Sequence, residues 1–312
     1  MRFVSICCVC LVFVQLLAAA SNPSGVILNL YDAFGKETPG TELGWGYSVL
    51  IRFQGKTILF DSGGDAGKFA KNTKGLGVDL KQVDFAVLSH SHGDHGSGFD
   101  YAFKVNPALK LYVPEDSMFG AGQGLRLPVV PREIVDALPP EQRYFRGEER
   151  TASGPWGSRY WKARTEAVGA NREIALGVFL IATRSPLMGN FSRAHAGDPP
   201  MLTQLPELSL ALVTSQGIVL VTGCSHSGIE AILRQAKGAL AKDIQLVIGG
   251  FHLLPYTAAE IQQLARTMKE DLGVHRVAPA HCTGMLGFHI FREVYGKDFV
   301  AAGLASQVTF TP

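Results

Sequence analysis

His90-Ser91-His92-Gly93-Asp94-His95 places three imidazoles and one carboxylate within six residues, directly after the apolar run Phe85-Ala86-Val87-Leu88. Neutral imidazole is the commonest metal ligand in proteins, and borderline metals such as zinc accept nitrogen and oxygen donors alike. A strand running into a tight turn can aim His90 and His92 at one cation. Beyond the flexible Gly93, Asp94 and His95 can reach a second ion nearby. A loop that was histidine-rich by chance would leave these rings without partners, because the turn supplies no others.

Three more histidines sit where apolar runs end. His226 follows Ile218-Val219-Leu220-Val221-Thr222-Gly223, His252 follows Leu246-Val247-Ile248-Gly249-Gly250, and His281 follows Val277-Ala278-Pro279-Ala280. Strand ends on one side of a sheet converge in space, so these rings can join the His90 cluster. His195, His275 and His289 lack this context and read as background. The seven donors (His90, His92, Asp94, His95, His226, His252 and His281) exceed what one tetrahedral zinc takes, and two ions sharing a water or hydroxide is the natural count. Such a pair brings the pKa of bound water toward neutrality and polarises the bond under attack. Chemistry of this kind needs no serine or cysteine nucleophile, and the chain shows no persuasive Gly-x-Ser-x-Gly elbow or phosphate-cradling loop. Cys224 and Cys282 both stand beside histidines, a placement that suggests metal chemistry more than a staple, although one disulfide is possible.

These runs resemble a known family. His90-Ser-His92-Gly-Asp94-His95 is similar to the H-x-H-x-D-H signature of the metallo-β-lactamase fold superfamily, and Leu59-Phe60-Asp61-Ser62-Gly63 resembles the strand and turn that precede it there. Thr222-Gly223-Cys224-Ser225-His226-Ser227-Gly228-Ile229, Gly249-Gly250-Phe251-His252-Leu253 and His281-Cys282-Thr283-Gly284 resemble a narrower branch of metal-dependent hydrolases, one that includes the pterin-linked ribofuranosylaminobenzene-phosphate synthases of methanogens. The resemblance runs from about Val26 to the C-terminus, apart from the middle. It implies a mixed α/β fold, a four-layer αββα sandwich with the metals at one edge of the paired sheets. It implies that His90, His92 and His226 hold the first ion and that Asp94, His95 and His281 hold the second. Asp61 would then orient a ligand histidine or the loop; from the residues alone it reads equally well as a turn-capping carboxylate. Where many relatives place a metal-bridging aspartate after a glycine, this chain has Gly223-Cys224. A Cys224 thiolate, His252 or water alone are the candidates for that place. Zinc fits this set best, with manganese and iron open.

The elements that must carry these groups are legible to different degrees. Val26 to Tyr31, Tyr47 to Phe53 and Thr57 to Asp61 read as strands, the last two joined by a hairpin turn at Gln54-Gly55-Lys56. Lys68 to Lys74 reads as a short helix; Val83 to Leu88 and Leu109 to Val113 read as strands. After Leu205 the pattern predicts a hairpin of Leu208 to Thr214 with Ile218 to Thr222. Next come a helix over Ile229 to Leu240, a buried strand over Ile244 to Ile248, a helix over Ala258 to Leu272 begun by Thr257, and a strand over Val274 to Pro279.

The stretch from about 114 to 200 has frequent prolines, glycines and arginines and poor apolar periodicity, and Ile174 to Thr183 is its clearest strand. It reads as an irregular insertion of loops over one edge of the site. Trp156 and Trp161 are the candidates there for a substrate lid, and most of its arginines read as a solvated face among glutamates.

The 312 residues are 46% hydrophobic with a formal net charge of +2, enough for one large domain and without the basic footprint of a nucleic-acid binder. Residues 1–20 read as a secretory signal: Arg2, an apolar run from Val4 to Leu17, then Ala18-Ala19-Ala20. That predicts a single mature domain over 21–312, secreted or periplasmic, with no stable membrane span and only Cys224 and Cys282 of the five cysteines retained.

The expected function is a dinuclear metal-dependent hydrolase. A metal-bridging hydroxide attacks an ester, lactone, amide or phosphoester of a small-molecule substrate, and Asp94 also orients the nucleophile. Two alternatives stand beside it. One is a synthase or transferase acting on a pterin-like or phosphorylated substrate. The other is a non-catalytic metal- or ligand-binding protein on the same scaffold.

Overall fold

Ile218-Val219-Leu220-Val221 and Leu246-Val247-Ile248 carry no polar residue to turn outward, so strands made from them need cover on both faces. A computed structural model, which describes residues 25–36, 38–115, 130–144, 165–184 and 205–312, shows how that cover is provided. One sheet holds β1 (Gly25–Tyr31), β2 (Ser48–Phe53), β3 (Lys56–Phe60), β4 (Phe85–Val87), β5 (Lys110–Pro114), β6 (Thr165–Val168) and, from late in the chain, β13 (Gln307–Phe310). Their order is β13-β1-β2-β3-β4-β5-β6. The other holds β7 (Arg172–Ala175), β8 (Val178–Thr183), β9 (Glu207–Thr214), β10 (Gly217–Thr222), β11 (Ile244–Gly250) and β12 (Arg276–Ala280), in the order β12-β11-β10-β9-β8-β7.

Successive residues of a strand face opposite sides. Ile58 and Phe60 of β3 join Val87, Leu210, Val219, Val221, Leu246 and Ile248 in a core between the two sheets. Leu59, Ala86 and Leu111 face the other way and pack with Phe69 of α1 (Ala66–Gly75) and with Phe99 and Ala102 of α3 (Phe99–Val105). On the outer face of the second sheet, Ile218, Leu220, Val247 and Val277 meet α5 (Ile229–Leu240), α6 (Ala258–Arg266) and α7 (Met285–Tyr295). The layers therefore run helix, sheet, sheet, helix. Each fully buried Val, Leu or Ile in them contributes about 1.5–3 kcal/mol through water exclusion.

Topology places the chemistry. β3, β4 and β5 are mutually parallel, and so are β10, β11 and β12. The carboxyl ends of each set lie along one edge, and the turns that leave them carry Asp61, His90, Cys224, His226, His252 and His281. The short α2 (Gly93–Gly96) presents Asp94 and His95 at the same edge.

Several expectations change. Ile174 to Thr183 is not one strand: the chain reverses at Leu176-Gly177, where Gly177 has φ 68°, and β7 pairs antiparallel with β8. The described part of 114–200 is less irregular than it reads, because α4 (Arg132–Ala137) lies in it, β6 closes the edge of the first sheet, and β7 and β8 extend the second. Edge strands such as Thr165-Glu166-Ala167-Val168 are half exposed and carry little apolar signal. The helix begun by Thr257 is capped at its N-terminus by a capping box with Glu260, but ends at Arg266 and passes into a π turn over Thr267–Asp271. The secretory signal over residues 1–20 and the lid candidates Trp156 and Trp161 lie outside the described residues. Among the described residues no helix is long and apolar enough to cross a membrane.

Candidate metal centre

Backbone strain marks this edge. Asp61, Ser225, His252 and His281 all adopt positive φ, at 56°, 64°, 49° and 44°. Left-handed backbone at a residue with a Cβ costs roughly 1–3 kcal/mol and persists only where its surroundings fix it. The surroundings here are tight. A Cβ on Gly223 would stand 2.1 Å from Ser89 Oγ, and one on Gly250 would stand 2.5 Å from the Gly223 carbonyl oxygen. Glycine is required at both positions for the turns to approach one another.

The Asp61 carboxylate organises the His90 turn. Ser89 N–H donates to Oδ1 at 2.7 Å and the Ser89 hydroxyl donates to Oδ2 at 2.7 Å. His95 Nδ1 lies 2.7 Å from the same Oδ2. A carboxylate only accepts, so His95 carries its proton on Nδ1 and leaves the Nε2 lone pair free to coordinate. The Ser89 hydroxyl proton is committed to Asp61, so its oxygen accepts from His90 Nδ1 at 2.9 Å, and His90 likewise offers Nε2. One carboxylate thus sets the tautomer of two rings.

Those free nitrogens face other donors. His90 Nε2 stands 3.1 Å from His92 Nδ1, and His95 Nε2 stands 3.2 Å from His281 Nε2. His281 Nε2 lies 3.3 Å from Asp94 Oδ2, and Cys224 Sγ lies 3.0 Å from His95 Nε2. Two nitrogens bound to one tetrahedral zinc at 2.0–2.1 Å stand about 3.3 Å apart, so the two nitrogen–nitrogen separations fit lone pairs converging on ions. His90, His92 and His226 form one set whose donor atoms lie within 4.8 Å of each other; Asp94, His95 and His281 form another. Cys224 joins His90 and His95, then His226 and His252, then His281 and Cys282, within the same limit. Every donor named from the sequence is therefore in this cluster, His252 included: its ring centroid is 4.2 Å from that of His226. His289 instead lies on α7, 3.4 Å from Glu293, and His275 N–H donates to the Ile244 carbonyl at the start of β11.

Burial and neighbouring charge tune the groups. Burial, reinforced by the surrounding imidazoles, holds His90 and His226 well below the usual histidine range and pushes His252 down to about 3. Neutral rings are the form that binds metal. At His281 burial outweighs the attraction of Asp94, and its affinity for a proton also falls. Burial alone would raise Asp94, but His95 and His281 outweigh it and hold the carboxyl well below its usual range. His95 moves upward: burial works against the proton, and Asp61 and Asp94 overcome it. The Cys224 thiol is pushed up, chiefly by burial, with Cys282 and the nearby carboxylates adding to the effect.

Two buried acids escaped the sequence reading. Glu207 accepts from the backbone N–H groups of His226 at 2.9 Å and Ser227 at 2.6 Å. Asp32 accepts from His281 N–H at 3.2 Å, Asn29 Nδ2 at 3.2 Å and Ala33 N–H at 2.8 Å. Burial raises both carboxyls above their usual range. Asp32 could have been found, since it ends an apolar strand just as the histidines do. Trp45 was also missed; its ring centroid is 4.9 Å from that of His281.

Residues 43–162 match the family profile of the metallo-beta-lactamase superfamily, a span that contains the His90 turn. The chain is similar to the 7,8-dihydropterin-6-methyl-4-(beta-D-ribofuranosyl)-aminobenzene-5'-phosphate synthase of Methanocaldococcus jannaschii, with 26% identity over 272 residues, 81% of this chain and 86% of the relative. Among solved structures it resembles Tm1679, described as a metal-dependent hydrolase of the beta-lactamase superfamily, with TM-score 0.65 and 23% identity, covering 92% of this chain and 100% of that one. The metallo-beta-lactamase fold protein YhfI from Bacillus subtilis gives TM-score 0.52 and 11% identity, covering 92% and 99%.

Proposed function

Since this chain has the metallo-β-lactamase fold, we propose that it is a dinuclear metal-dependent hydrolase acting on a small-molecule ester, lactone, amide or phosphoester. His90, His92 and His226 would hold one ion, and Asp94, His95 and His281 the other. Divalent ions held there supply the positive charge that makes water nucleophilic near neutral pH and polarises the bond under attack.

The chain's own residues do the rest. Asp61 locks His95 directly and His90 through Ser89, so neither ring can turn its protonated nitrogen toward the centre. Glu207 and Asp32 pin the backbone at His226 and His281. Asp94, held ionised by His95 and His281, orients the attacking water. The observation that carries the reading is the meeting of His95, from the first half of the chain, with His281 at 3.2 Å and Cys224 at 3.0 Å. β-Lactam hydrolysis itself does not follow from the fold, because function lives in the site and its cover. Purified protein freed of metal and reloaded with zinc should hydrolyse at least one member of an ester, lactone and phosphodiester panel. Metal-loaded protein inert across that panel counts against hydrolysis.

The methanogen relative favours a second reading, synthase chemistry on a phosphorylated, pterin-like substrate. The expected export of the mature chain argues for hydrolysis, since such substrates are normally cytosolic. Incubation with phosphorylated ribosides and a pterin separates the two: condensation products support the synthase, and water-derived products support the hydrolase.

A further inference from the structure

The geometry points to Cys224 as a thiolate ligand shared between the two ions, an inference that rests on the two-ion reading above. Its Sγ is 3.0 Å from His95 Nε2 and within 4.8 Å of donor atoms of His90 and His226 on one side and His95 and His281 on the other. Among the described residues no other donor enters three of the five close groupings at this edge. Position and charge agree. The Gly223 backbone that carries Cys224 is pressed against Ser89 and the Asp61 carboxylate, which holds this turn against the His90 turn, and Cys224 itself is buried. With the imidazoles neutral, Asp94 is the one carboxylate in these groupings, and a thiolate adds the second negative charge that two enclosed dications favour. Cys282 plays a different part: its thiol donates to the Cys224 carbonyl oxygen at 3.7 Å and braces the turn.

Binding breaks the Cys224 S–H bond. The sulfur keeps the electron pair, the proton leaves to buffer, and no electron is transferred. A soft bridging donor makes the centre select zinc or cobalt over manganese or magnesium. The rival arrangement is a plain buried thiol that donates to His95 Nε2 and takes no part in binding.

Cobalt titration of the full metal-free chain distinguishes them. A shared thiolate gives a near-ultraviolet sulfur-to-cobalt charge-transfer band that grows through both equivalents. Cys224→Ser abolishes the band and weakens uptake of the second ion by no less than about tenfold, whereas Cys282→Ser keeps it. Cys224→Asp restores two-ion binding without the band, which guards against a serine variant that fails to fold. A band that saturates at one equivalent, survives Cys224→Ser or disappears in Cys282→Ser overturns the bridge while leaving the two-ion centre intact. Failure of the wild-type chain to bind cobalt at all overturns the two-ion reading itself.

Discussion

Asp61 Oδ2 lies 2.7 Å from His95 Nδ1, and this contact decides which face of the imidazole can meet a metal. Both groups are fully buried, so water cannot substitute for either partner.

Asp61→Asn should therefore act on metal binding more than on folding. The amide keeps the shape but loses the acceptor-only carboxylate that holds Ser89 and His95. Metal affinity should fall by about 10–100-fold, read by competition with a chromophoric chelator, while far-ultraviolet circular dichroism stays native. Unchanged affinity would show that His95 orients itself without Asp61.

Glu207 is a tether, and its loss should appear first in stability. Glu207→Ala strands two buried backbone N–H groups, those of His226 and Ser227. Leaving a buried donor unsatisfied costs about 1–3 kcal/mol. Urea denaturation of the metal-free protein should show a loss of that order, with Glu207→Gln milder because its amide oxygen still accepts. A midpoint identical to wild type contradicts the tethering role.

Gly223→Ala tests the close approach of the two halves. The added methyl would stand 2.1 Å from Ser89 Oγ and 3.2 Å from Asp61 Oδ2. Either the turn moves or the Asp61–Ser89 pair opens, and both displace ligands. Weaker zinc binding together with a lower melting temperature is expected. Gly238→Ala, on the helix over Ile229–Leu240 where the added methyl meets nothing within 4 Å, should leave zinc binding unchanged. Full zinc affinity in Gly223→Ala would show that the two turns are not pressed together in solution.

Expression in a secreting host should yield a chain that begins near Ser21. Intact-mass measurement of the exported protein checks this directly. A full-length mass in the exported fraction argues against cleavage at Ala18-Ala19-Ala20.

The turns that carry the candidate ligands were legible because each follows a buried apolar strand, and a polar side chain at such an end has few uses other than a site. The same logic covers Asp32, although a lone aspartate after a strand also reads as a turn. Glu207 was harder to see: it opens β9 beside Pro206, and only the tertiary fold brings it beneath His226. Leu176-Gly177 hid a hairpin turn inside an apolar run, and the φ of 68° at Gly177 shows that the glycine was the informative residue. Helix α7, with Gly287 inside it and Gly284 before it, carries weak helix propensity and is held by packing of Phe288 and Phe291 instead. The pairing of β13 with β1 joins opposite ends of the described chain, which no local pattern can announce.

The most direct test of the two-ion account is a single titration of metal-free protein with zinc, in which bound metal and hydrolytic turnover are read on the same samples. The account predicts two ions per chain, with turnover absent before addition and restored as the sites fill. Turnover that persists in protein verified to be metal-free, or a chain that takes up no zinc, would contradict it.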